Sequence, residues 1–375
     1  MQYRIFPKTG EKISLFGLGT MRLPRNSDGG VDEAEAIRLI RTAIDGGVNY
    51  VDTSYLYHDG ASEVVLGKAL KDGYREKILL ADKIPVWLAK DETDLRTIFD
   101  EQLARLGTRL IDMYLVHNIT APIWKKARKV DVLGFLEKKR AEGEIRHIGF
   151  SFHDSPSFFK EILDFYPWDF CQIQFNYMDA NYQAGVEGLR YAASKGVPVI
   201  VMEPLRGGLL TDQVPADVQK LWDQADIQRT PAAWALRWVA DFPEVLTILN
   251  GVSSMAQLTE NLSVLSQTPP NCLTDRERDI IQQAADAYNQ LLRHACTKCR
   301  YCAPCPNEVD IATILGYYNE WFLYGQNPKT KSLFNMFIPE KRRPGKCDGC
   351  KTCEERCPQG IPIAEAMKKA AAIFD

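Results

Sequence analysis

The first 295 of the 375 residues hold almost no cysteine: only Cys171 and Cys272. That scarcity leaves the long N-terminal part without a disulfide framework or a thiolate metal site. No apolar run approaches the roughly 20 residues needed to cross a bilayer, which excludes a membrane as partner. The opening MQYRIFPKTG lacks the apolar core of a secretory leader, so a cytoplasmic protein is expected. Neither sign of charge dominates: 46 Lys and Arg stand against 49 Asp and Glu, for a net charge of -3. Nothing there would draw a nucleic acid. Hydrophobic residues at 45% and charged residues at 25% exclude a disordered chain. No GxGxxG follows an early apolar run, which counts against a doubly wound dinucleotide-binding sheet, the alternative fold considered.

What is present up to about residue 268 is a repeated unit of apolar run and amphipathic helical segment. The runs are FGLGTMR (16–22), VNYVDTS (48–54), KILLADK (77–83), IDMYLVHN (111–118), RHIGFSFHD (146–154), FCQIQFN (170–176), VPVIVMEPL (197–205) and LTILNGVS (246–253). Continuous apolar strands imply a sheet buried on both faces. Eight strand–helix units over about 250 residues predict an α/β fold, a (β/α)8 TIM barrel. YRIF and KISL, joined by PKTGE, read as a hairpin able to plug its N-terminal mouth. Chemistry in such barrels collects at the C-terminal strand ends. Those ends offer Asp52 with Tyr57 just beyond it, Lys83 and His117. An ammonium near a phenol favours the phenolate, a carboxylate holds the ammonium, and an imidazole can polarise a substrate oxygen. The set suits protonation of an oxyanion as hydride reaches its carbon.

These residues resemble the aldo-keto reductase family. The stretches that carry the likeness are VDTSYLYHDGASEVVLG, LLADK, DMYLVH, IGFSFHDS, QIQFN, PVIVMEPLRGG and GVSSMAQLTENL. The resemblance implies an NAD(P)-dependent oxidoreductase binding NADPH or NADH across the barrel mouth. Its small-molecule substrate would be a carbonyl or an alcohol. In that reading Tyr57 is the general acid/base, Lys83 tunes it, Asp52 pairs with Lys83 and His117 orients the carbonyl. Ser151 and Gln172 match the positions that hold the nicotinamide carboxamide. Met202, Leu205, Gly251, Ser253, Gln257 and Asn261 complete the expected cofactor contacts. Met202 stands where an aromatic ring is usual. Gly251 and Gln257 stand where NADPH-preferring members carry a lysine and an arginine. His58 and His153 read equally as substrate contacts or surface histidines, and Cys171 as inert core.

The last 80 residues hold eight cysteines in two motifs. The first is Cys296-x2-Cys299-x2-Cys302-x2-Cys305-Pro306; the second is Cys347-x2-Cys350-x2-Cys353-x3-Cys357-Pro358. The second fits the bacterial ferredoxin run, in which the cysteine before proline serves the other cluster. Two [4Fe-4S] clusters are expected, one on Cys296, Cys299, Cys302 and Cys357, the other on Cys347, Cys350, Cys353 and Cys305. The first motif is one residue short, so a single cluster is the lesser alternative, and zinc on paired CxxC motifs a further one. The 41 residues between Cys305 and Cys347 are helical in character, which predicts a small, mainly α-helical ferredoxin-like domain. Tyr317, Tyr318, Trp321, Phe322 and Tyr324 read as its core or as a roof over a site. The domains are drawn at 1–268 (barrel), 269–292 (linker and connecting helix) and 293–375 (cluster domain).

A two-electron barrel joined to one-electron clusters leaves three functions open. One is a carbonyl reductase with structural or sensing clusters. The second is an electron-transfer enzyme served by a flavin or by a ferredoxin or flavodoxin-type carrier; the basic run Lys341, Arg342, Arg343 and Lys346 reads first as a solvated loop and second as a docking face for such a carrier. The third is a non-catalytic nicotinamide-binding redox sensor. No flavin motif stands out. The oxygen lability of such clusters points to an anaerobic or microaerobic source.

Overall fold

The computed structural model describes residues 1–212 and 214–375. They form two compact units: Met1–Pro204 with Ala232–Leu273, and Leu205–Pro231 with Thr274–Asp375.

The first unit opens with an antiparallel hairpin, β1 (Tyr3–Ile5) and β2 (Lys12–Ser14). Eight parallel strands follow: β3 (Phe16–Gly19), β4 (Tyr50–Asp52), β5 (Leu79–Ile84), β6 (Ile111–Ile119), β7 (Ile145–Phe152), β8 (Phe170–Gln174), β9 (Val199–Met202) and β10 (Val245–Gly251). They close as a barrel in chain order, with β10 pairing back onto β3. Each of the eight apolar runs supplies one strand. Every residue of β5 and β6 is buried, as expected of strands covered on both faces. Gly107, at φ 64°, takes the left-handed position after helix Glu92–Leu106, which favours glycine there. Two helices escape the periodicity, Ala121–Lys129 and Ala216–Asp223. The first is masked by Pro122, which lies in its opening turn, where a missing N–H costs nothing.

Phe6 of the hairpin joins Tyr50, Phe170 and Leu246, from the starts of three strands, in the barrel interior. The hairpin therefore does plug the N-terminal mouth and leaves the opposite rim for chemistry.

In the second unit, helix Asp275–Leu291 starts on a capping box of Thr274 and Glu277. It holds the 205–231 segment through the Arg229–Glu277 ion pair at 2.5 Å and a Tyr288 hydroxyl donating to Leu209 O at 3.4 Å. Helices Ile311–Leu323, Pro328–Phe337 and Ile363–Phe374 follow. Their core gathers Ile314, Leu315, Phe334, Met367 and Phe374. Tyr317, Tyr318, Trp321 and Phe322 pack in or against that core. Among the described residues no helix is long and apolar enough to cross a membrane.

The barrel interior leaves no room at Gly149, where an added Cβ would lie 2.6 Å from the Phe170 ring. Gly149→Ala is expected to lower stability by about 1–3 kcal/mol through overpacking, read from denaturant unfolding of the full chain.

Candidate active site and cysteine centre

The strand ends bring the four expected side chains together. Lys83, on β5, and Asp52, at the end of β4, are both buried, with Lys83 Nζ donating to Asp52 Oδ1 at 2.5 Å and to Thr53 O at 2.6 Å. The chain after β4 turns through a short helical segment, Tyr57–Gly60, and sets the Tyr57 ring with its centroid 5.0 Å from Lys83 Nζ. His117, on β6, lies edge-on to Tyr57, with ring centroids 6.4 Å apart. Its Nδ1 is 3.2 Å from Ser54 Oγ.

Charge and burial divide the roles. Burial pushes the Asp52 carboxyl up, and the adjoining Lys83 ammonium opposes that rise. Burial, with Lys83 and then His153, holds the His117 imidazole well below its ordinary value, so it is neutral at pH 7. A neutral imidazole can donate a hydrogen bond to a carbonyl oxygen without carrying charge into the site.

The rim of the next strands carries the expected carboxamide partners. Ser151 and Gln172 face each other in the β7–β8 register and are buried. Ser151 Oγ accepts from the Asn118 backbone N–H at 2.7 Å. Gln172 Nε2 donates to Met202 Sδ at 3.4 Å, while Gln172 Oε1 is buried with no donor among the described residues. Asn118 Oδ1 is buried and orphaned in the same way. Two unsatisfied acceptors beside Ser151 fit an amide N–H2 such as the nicotinamide carboxamide supplies. At the β10 end, Gly251 and Ser253 are exposed, and Arg22 lies against Gly251, its Cγ 3.1 Å from where a Cβ would be. Gln257 Oε1 accepts from Ser253 N–H at 2.9 Å. Asn261 is buried and donates to Asn250 Oδ1 at 3.4 Å. Leu205 opens the second unit.

Sequence pattern gave no sign of Trp87, whose ring lies 5.2 Å from His117, or of Asn118. Asn118 adopts φ 57°, unusual outside glycine, and follows directly on His117. His58 is packed rather than exposed, with both ring nitrogens buried. His153 Nδ1 lies 3.2 Å from Gln183 Oε1. Cys171 is buried and its thiol is pushed up by that burial, in keeping with an inert core residue.

In the second unit the thiols interact across the two motifs. Cys302 feels Cys299, Cys296, Cys357 and Cys353, and Cys296 in turn feels Cys357. Burial first, then Cys347, Glu354 and Cys305, push the Cys353 thiol up to about 11. Peptide N–H groups face the sulfurs: Lys298 N–H donates to Cys296 Sγ at 3.4 Å, and those of Ile361, Gln359 and Gly360 approach Cys357. Both motifs share one backbone device. The residues before and after each second cysteine, Lys298 with Arg300 and Gly349 with Lys351, all have φ between 58° and 78°. Alternating left-handed residues turn successive N–H groups to one side, which makes an anion-binding concavity. Among the described residues no three His, Cys, Asp or Glu side chains are grouped as one metal ion requires.

A family model described as the Aldo/keto reductase family matches residues 16–284, and one described as a 4Fe-4S dicluster domain matches residues 295–361. The chain is 27% identical over 319 residues to the NADH-specific methylglyoxal reductase of Escherichia coli (strain K12), covering 73% of this chain and 95% of that protein. It is 29% identical over 293 residues to the L-galactose dehydrogenase of Arabidopsis thaliana, covering 71% and 89%. Among solved structures it is similar to the aldo-keto reductase AKR11C1 from Bacillus halodurans in its holo form. That match has a TM-score of 0.62 and 28% identity, over 76% of this chain and 96% of that one.

His153 yields a pH test. Burial lowers its imidazole to about 4, against a side-chain hydrogen bond to Gln183 that raises it. The unfolded chain therefore binds the proton more readily, and stability is lost as pH falls from about 6.5 toward 4. Histidine NMR signals of the full chain are expected to show His153 neutral at pH 6 and titrating near pH 4, a midpoint absent from His153→Gln.

Proposed function

The chain belongs to the aldo/keto reductase family, and from that premise we propose that it interconverts a small carbonyl compound and its alcohol, with Tyr57 as general acid and base. The observation that carries the reading is the placement of Lys83 Nζ 5.0 Å from the Tyr57 ring centroid while Asp52 holds it at 2.5 Å. The fixed ammonium favours the phenolate over the phenol and so eases proton release from Tyr57 Oη. Neutral His117, edge-on to Tyr57, donates to the same substrate oxygen and orients it. Trp87 backs the His117 ring and helps keep water from it. When bound, nicotinamide supplies or accepts the hydride at the carbonyl carbon. Ser151, Asn118 and Gln172 would hold its carboxamide. Gly251 and Gln257 leave the lysine and arginine expected for an adenosine 2′-phosphate absent at those positions, which favours NADH over NADPH.

The cysteine centre, read as residues 293–375, holds two [4Fe-4S] clusters with crossed ligation. Cys296, Cys299, Cys302 and Cys357 hold one; Cys347, Cys350, Cys353 and Cys305 hold the other. The influence of Cys357 on Cys296, and of Cys305 on Cys353, each across the two motifs, supports that assignment. The clusters' first role is to tie the two motifs into one folded unit, since each takes ligands from both.

Tyr57→Phe is expected to lower carbonyl reduction by about 10²–10⁴-fold while leaving nicotinamide binding intact, measured by turnover and by fluorescence titration with NADH and NADPH. Full turnover in that variant removes Tyr57 from the chemistry. Crossed ligation is tested by iron content and electron paramagnetic resonance after anaerobic purification. Cys296→Ser with Cys357→Ser touches one cluster and keeps half the iron. Cys296→Ser with Cys305→Ser touches both and keeps none. The reverse pattern would mean that each motif closes on itself.

A further inference from the structure

On the outer side of β5, behind Lys83, two carboxyl groups are packed together out of water. Asp82, on β5, and Glu63, in helix Ala61–Ala69, are each 0% exposed. Asp82 Oδ1 accepts the Lys83 backbone N–H at 2.8 Å. Asp82 Oδ2 is buried with no donor among the described residues. Glu63 Oε2 accepts from Arg105 Nη1 at 2.9 Å, and Glu63 Oε1 from Gln102 Nε2 at 3.3 Å. Gln102 Nε2 also donates to Lys83 O at 3.1 Å. The Lys83 peptide is thus gripped at both ends, its N–H by Asp82 and its C=O by Gln102.

The charges around the pair do not balance two anions. Arg105, in helix Glu92–Leu106, is the one cation bonded to either carboxylate among the described residues, and it also serves Glu101 at 3.1 Å. The Lys83 ammonium is committed to Asp52 in the barrel. From β6, Tyr114 donates its hydroxyl to Gln102 Oε1 at 2.5 Å and so fixes which end of Gln102 faces Glu63. Two buried carboxylates sharing one half-exposed cation cannot both stay ionised at low cost.

We propose that Asp82 and Glu63 hold one proton between them, closing the gap at Asp82 Oδ2, and that this acid pair is a positioning element for Lys83. Burial, and then the neighbouring Glu63 carboxylate, both act to keep Asp82 protonated. The positioning half rests on the reading of Lys83 as the residue that tunes Tyr57; the proton-sharing half does not.

The test uses the full-length, anaerobically purified protein. Infrared spectra at about pH 8 are expected to show a carboxylic-acid carbonyl band that is lost in Asp82→Asn, where Glu63 is left ionised against Arg105, and that shifts in Glu63→Gln, where Asp82 loses its hydrogen-bonding partner. No such band in the unmodified protein, or a band unchanged in either variant, overturns the shared proton. Thermal melts supply a second reading. A carboxyl whose native value is raised contributes stability that is lost as pH rises from the unfolded value near 4. The unmodified protein should therefore lose more melting temperature between about pH 6 and pH 9 than Asp82→Asn does. For positioning, Asp82→Ala leaves the Lys83 N–H without an acceptor and should lower kcat about tenfold at unchanged KM for nicotinamide, with Asp82→Asn restoring most of it. Equal kcat in the Ala and unmodified proteins overturns the positioning role. The expected infrared band together with a fully active Tyr57→Phe would leave the acid pair standing and remove the reading of Tyr57.

Discussion

The buried ion pair between Lys83 and Asp52 is the constraint around which the barrel rim is organised. Two charges at 2.5 Å, both out of water, bring little net stability, because desolvation takes back most of the Coulomb gain. What the pair does bring is position. Lys83 cannot swing toward solvent without stranding a buried carboxylate, a loss worth about 3–5 kcal/mol. Its ammonium is therefore a fixed charge. The Tyr57 ring lies against it, His117 is kept neutral partly by it, and Thr53 O takes another of its protons.

A fixed cation in a barrel wall must be supported from behind, and this determines how the outer layer is built. The helices beyond β5 pack with apolar residues almost everywhere, but beside Lys83 they present Glu63, Gln102 and Arg105. They form a chain of bonds: Gln102 reaches the Lys83 C=O, Glu63 holds Gln102, and Arg105 holds Glu63. Polar networks of this kind are costly when incomplete and confer a single arrangement when complete. The cost is accepted where precision matters most, at the residue whose charge the tyrosine needs.

The barrel was legible because its signal is strong and local. Eight continuous apolar runs, each ending in polar residues, can only be strands buried on both faces, and all eight are. The catalytic candidates were legible because strand ends are predictable once strands are. What lay beyond reach was whatever depends on two distant segments meeting. Asp82 and Glu63 look in the sequence like ordinary charged residues; their burial follows from the packing of helix Ala61–Ala69 on the barrel. Trp87 sits in a short turn with no periodicity. In the cysteine motifs the spacing was plain, but left-handed geometry at Lys298, Arg300 and Lys351 was not, since glycine marks only one of the four positions, Gly349.

The division of the chain carries the same lesson about distance. The sequence suggests a barrel followed by an appendage, with the boundary near residue 268. The second compact unit instead takes in 205–231, a segment that leaves the end of β9 and returns at helix Pro231–Ala240. That segment is held by helix Asp275–Leu291, through Arg229 to Glu277 and Tyr288 to Leu209. Beyond the far end of that helix, the Arg293 and His294 N–H groups are held by Asn319 Oδ1 at 3.2 and 3.1 Å, within the cysteine-bearing part. Helix Asp275–Leu291 is therefore shared, within the second unit, between the 205–231 segment and the cysteine-bearing part. Removing the cysteine-rich residues would leave that helix without its C-terminal anchor and weaken the grip on 205–231. The last 80 residues are thus part of the support of a loop that begins at Leu205, only three residues beyond Met202, the last residue of β9.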